Sequence, residues 1–170
     1  TGNARAEIWY LMAPNTGTPN IRGTMAGSTE MVTGAVSLTV VDQAQTLSTQ
    51  YFSSNGNSAA PSVNATTTVN NAWVMDVLAY RQENPPGAPT EVTATMTAVA
   101  GRIQRWNLRT GGNPASNNDE GGAASTRGPV SPAGVVTLGW TLSRSRQWAL
   151  GAVAINPFNI PVEMGEVSVG

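Results

Sequence analysis

Residues 72–80 read AWVMDVLAY, an extended run whose two faces are both apolar. Trp73, Met75, Val77 and Ala79 fall on one side, and Val74, Asp76, Leu78 and Tyr80 on the other, because successive side chains of a strand point to opposite faces. Such a segment predicts a central strand covered on both sides. Asp76 is its exception. A carboxylate inside an apolar strand needs an arginine or backbone N–H groups as partners, so it reads as half of a buried ion pair before it reads as a catalytic acid.

The rest of the chain fits that frame. No stretch carries a clear 3.6-residue apolar period, and Thr, Val, Ala, Gly and Asn dominate, the composition of short strands joined by turns. Strands are predicted over 4–12, 20–26, 31–41, 62–69, 72–81, 90–100, 103–108, 123–127, 135–142 and 148–156. Segments 14–19, 53–61, 84–89 and 109–122 are rich in Pro, Gly and Asn and read as turns or loops. The predicted fold is therefore all-β: an antiparallel β-sandwich of jelly-roll type with about ten strands and no substantial helix. Residues 1–157 read as a single sandwich domain. Residues 158–170, FNIPVEMGEVSVG, read as a strand-like tail, in which Pro161 rules out a continuous central strand.

Composition then narrows the function. The chain has no histidine, no cysteine and no lysine. That removes Ser–His–Asp triads, thiol nucleophiles, Schiff-base chemistry, P-loops and disulfides, along with lysine-based isopeptide links between subunits. Its nine arginines are scattered singly and the net charge is −1, which argues against a nucleic-acid surface. No apolar window approaches the length of a membrane span.

The search for chemistry returns little. Asp119 and Glu120 are adjacent in a Gly/Asn loop, and adjacent residues rarely converge on one substrate as a glycosidase pair must. Glu7 has Arg5 and Arg22 as possible partners, and Asp42 suits a turn at the end of VVDQ. Trp9, Trp73, Trp140 and Trp148 sit in apolar runs and read as core, as does Tyr10. Trp106, flanked by Arg102, Arg105 and Arg109, is the best candidate for an exposed, sugar-stacking aromatic, although packing beneath the arginine stems is the reading favoured over it. Asn64-Ala65-Thr66 is a sequon that marks Asn64 as a possible glycosylation site. Neither a cofactor nor a metal is expected.

The runs ARAEIWYLMAPNTGT (4–18), GAVSLTVVDQ (34–43), AWVMDVLAY (72–80), GAASTR (122–127), LGWTLS (138–143) and WALGAVAINP (148–157) together resemble a largely uncharacterised family of secreted bacterial and archaeal β-sandwich modules. The resemblance implies a concanavalin- or jelly-roll-like sandwich on cell-surface proteins, and it brings no catalytic or binding residues with it. It also implies opening strands upstream of EIWYL that this chain lacks, so that Ile8, Trp9 and Tyr10 would border a groove awaiting an added strand. Phe158, Ile160, Val162, Met164, Val167 and Val169 of the tail supply apolar positions for that role. The expectation is a non-enzymatic extracellular or cell-surface structural protein, a self-assembling filament or surface-layer subunit joined without covalent bonds by strand addition. Its expected partners are copies of itself. A carbohydrate-binding or adhesive module with a surface glycan as ligand is one alternative, and a viral capsid, decoration or tail protein is another.

Overall fold

The doubly apolar run does become a central strand. A computed structural model describes residues 4–18, 20–27, 30–82, 92–110 and 120–158. Its strands are β1 (Tyr51–Ser58), β2 (Ser62–Thr66), β3 (Ala72–Arg81), β4 (Ala94–Met96), β5 (Arg102–Arg109), β6 (Glu120–Val130), β7 (Val135–Leu142) and β8 (Arg146–Ile155). They form two antiparallel sheets, one ordered β1-β8-β3-β6-β5 and the other β2-β7-β4. Among the described residues there are thus eight strands where about ten were expected, and the only helical element is the short 3-10 turn Leu47–Thr49.

The pairing is nested. β1 pairs with β8, β2 with β7 and β3 with β6, the winding of a jelly roll. Asn107 of β5 donates to the carbonyl of Ala94 in β4 at 2.7 Å, tying the innermost pair together across the two sheets. Gln82 closes the far end of β3 in a similar way. Its amide donates to the Val92 carbonyl at 2.7 Å and accepts from the Val92 N–H at 2.8 Å.

The main core lies between the sheets. Val74, Leu78 and Tyr80 of β3 and Leu150 of β8 face Leu138 and Trp140 of β7, all nearly inaccessible to solvent. Small residues in β6 make room for the rings. Gly121 lies opposite Tyr80 in the ladder, and a Cβ there would fall 2.1 Å from the Tyr80 ring. The β2–β3 turn is set by Asn71, which holds φ +62°, a conformation that asparagine tolerates better than most residues.

The opposite face of the large sheet carries a second, smaller core. Leu47, Val153 and Ile155 are buried there, with Ile8, Leu38, Val41, Trp73 and Met75 packed against them. Both faces of β3 are therefore covered, as its sequence requires. The cover on this side is not a sheet. Residues 4–46 join no strand ladder among the described residues apart from an isolated bridge between Val41 and Pro157. The strands expected over 4–12, 20–26 and 31–41 are thus absent as ladder elements. Their residues favour extended backbone, but a strand also needs a partner edge, and the nested winding of 51–155 is complete without them. We call residues 4–46 the arm.

One strand was read as a loop. SSNGNS, within the segment 53–61 expected to turn, forms most of β1. Ser and Asn are poor strand formers in isolation. Here an uninterrupted eight-residue register with β8 decides the matter, with Gly56 lying opposite the large Trp148.

Candidate functional site

Among the described residues, the buried ion pair is a structural one. Arg102, at the start of β5, reaches Asp76 of β3 with Nη2–Oδ2 at 2.6 Å, both side chains being fully buried. The Asp76 carboxylate also accepts from the Ser125 N–H at 2.8 Å, the Ser125 hydroxyl at 2.6 Å and the Trp140 indole N–H at 3.0 Å. The guanidinium lies 5.1 Å from the Trp140 ring centroid and donates through Nε to Ser125 Oγ at 2.8 Å. Burial pushes the Asp76 carboxyl above its usual range, against the Arg102 charge and the bonds from Ser125 and Trp140. Burial likewise pulls Arg102 below its usual value, against the pull of Asp76. The network joins β3, β5, β6 and β7 through side chains buried between the sheets.

The surface of interest is on the arm. Ile8 turns inward onto the second core, while Trp9 is 87% exposed, Leu11 77% and Tyr10 52%. This corrects the reading of Trp9 and Tyr10 as core residues: the sheet face beneath the arm accepts Ile8, and the intervening side chains point away from it. Trp9 is nonetheless held. Its indole N–H donates to Glu7 at 2.9 Å, and Glu7 is paired with Arg5 at 2.5 Å. Arg5, Ala6, Glu7, Ile8 and Trp9 line a shallow, open cleft of about 380 Å³ together with Tyr51 of β1. Farther along the arm, Ile21 is 82% exposed.

Phe158 is also exposed, with its N–H bonded to the Val40 carbonyl at 3.0 Å. Ile160, Val162, Met164, Val167 and Val169 lie outside the described residues, as does Asp119. Glu120 opens β6, its backbone bonded to Thr110 on both sides. Asn64 is exposed on β2, where Thr137 donates to its side chain at 2.8 Å. Trp106 is half-buried rather than open. Its ring packs so closely over Gly34 of the arm that a Cβ there would fall 2.2 Å from the indole nitrogen, and Val32 and Trp106 both crowd Gly122. The arm contributes to its cover.

No protein-family model matches the chain, and no curated protein matches it. Among solved structures the chain is similar to the tripod of the baseplate of bacteriophage Tuc2009, at 14% identity and a TM-score of 0.40, over 85% of this chain and 83% of that one. An overlap that loose transfers neither a fold assignment nor a role.

Proposed function

We propose that this chain is a non-enzymatic structural subunit of an extracellular or cell-surface assembly, joined non-covalently to copies of itself. The observation that carries the reading is the arm. It presents Trp9, Leu11 and Ile21 almost wholly to solvent, on a segment with strand-like composition and no ladder among the described residues. Burying a large apolar side chain contributes about 1.5–3 kcal/mol, and apolar surface gathered on one segment marks an interaction site. A neighbouring copy that covers these residues gains that energy with no chemistry beyond packing. In the test, the full chain and a Trp9→Ser/Leu11→Ser variant are compared by sedimentation velocity at micromolar concentration. Oligomers of the parent that become smaller in a folded variant support the reading, and a monomeric parent contradicts it.

A second reading is favoured by the cleft. An indole whose N–H is held by Glu7, lining one open cleft with Arg5 and Tyr51, supplies the aromatic and polar groups that a sugar ring would need. A glycan array with a Trp9→Ala control tests it. Glycan binding that persists in the control, or none by the parent, contradicts it.

A further inference from the structure

The two sheets have four edges, and three of them are protected. β2 and β4 are short, at five and three residues. β5 is long but carries Arg105 and Arg109, with a register shift between Gln104 and Trp106. Short strands, charges and bulges are the usual defences against edge-to-edge pairing. β1 has none of them. It is eight residues long, its sequence YFSSNGNS holds no charge and no proline, and its register with β8 runs unbroken from Tyr51 to Ser58.

The outward backbone groups of β1 can be identified. The Ala154 N–H donates to the Gln50 carbonyl at 3.1 Å, in line with the register that pairs Phe52 with Ala152. Hydrogen-bonded residues alternate along an antiparallel ladder. The even-numbered residues of β1 therefore bond β8, and Tyr51, Ser53, Asn55 and Asn57 turn their N–H and C=O groups to the open edge. Ser53, Asn55 and Asn57 are exposed, and among the described residues no backbone partner reaches them from that side. Tyr51 borders the cleft formed by arm residues 5–9, which leaves the other three as the free run.

We infer that β1 of a second copy occupies this edge, antiparallel and related by a two-fold axis at Asn55. The inference rests on the self-assembly reading and gives it a second contact, separate from the arm. In this register Ser53 faces Asn57 of the second copy and Asn55 faces its own counterpart. All three free residues are then paired on both strands, forming about six backbone hydrogen bonds. The side chains beside the seam are hydroxyls and amides that can bond one another, and no charge is brought against its like. The apolar arm is a poorer occupant, because it would set Trp9 and Leu11 against Ser53, Asn55 and Asn57. The paired five-stranded sheets would form one continuous sheet through the dimer.

The absence of cysteine makes the test clean. Asn55→Cys and, as a control on the charged edge, Ile103→Cys are introduced singly into the full chain. Both are oxidised and resolved on non-reducing gels, with sedimentation velocity run on the parent. Residues opposed across a ladder lie within disulfide reach, so Asn55→Cys is expected to give at least tenfold more covalent dimer than the control. Asn55→Pro removes an outward N–H and leaves the bonds to β8 intact; it is expected to weaken association at least tenfold while circular dichroism stays unchanged. Asn55→Lys, which sets like charges opposite one another across the axis, is expected to do the same. An oligomeric parent whose Asn55→Cys form does not cross-link above the control, and whose Asn55→Pro and Asn55→Lys forms associate as before, overturns the β1 inference and leaves the self-assembly reading standing. A monomeric parent overturns both.

Discussion

At the scale of single residues, the best-determined feature is the Asp76–Arg102 pair. Removing one partner strands the other as a buried charge, which costs about 3–5 kcal/mol, whereas replacing both with apolar residues is often neutral or better. Asp76→Ala is therefore expected to destabilise by that amount in urea unfolding, and Asp76→Leu/Arg102→Met to recover most of it. The pH dependence has a definite sign. A carboxyl whose folded-state pKa lies above the unfolded value binds its proton more tightly in the folded chain. Its contribution is fully present below the ordinary value of 3.8 and declines as pH rises through the folded value. The stability advantage of the parent over Asp76→Asn should accordingly grow as pH falls from neutral into the carboxylate range; an advantage that shrinks on acidification contradicts the assignment. Val40 offers a separate test. It holds φ +57° while 72% exposed, a conformation costing an L-residue roughly 1–2 kcal/mol, and its side chain contributes little packing in return. Val40→Asn is expected to raise stability by about 1 kcal/mol in thermal or urea unfolding.

At the scale of elements, legibility depended on where a strand's energy comes from. β3 and β7 were readable to the residue, at Ala72–Arg81 and Val135–Leu142, because their apolar positions are packed by facing layers. β8 differed by two residues at its start. β1 was unreadable because its strand character comes from the ladder with β8 and from Gly56 opposite Trp148, neither of which is visible in SSNGNS. The arm erred the other way: AEIWYLM has the propensity of a strand, but propensity cannot supply a partner. Asp76 was legible as one half of a buried pair. Its partner was not, since Arg102 lies 26 positions away in a run that offers Arg105 and Arg109 as well. The exposed indole of Trp9 was likewise hidden, because the alternation of the arm does not say which face the sheet will accept.

At the scale of the whole molecule, the nested strands from 51 to 155 form the two sheets of the sandwich, and arm residues pack on the outer face of the larger one. The arm leaves Trp9, Leu11 and Ile21 uncovered, and the large sheet ends in an uncharged, unbroken strand. Both features favour a partner, and two different contacts on one subunit are what extended assemblies require. The central claim is that the partner is the chain itself. Sedimentation velocity of the full chain, set beside the folded Trp9→Ser/Leu11→Ser variant, tests it most directly: the account expects concentration-dependent oligomers of the parent, and in the variant species no larger than the β1-joined dimer. A parent that sediments as a monomer at every accessible concentration would contradict it.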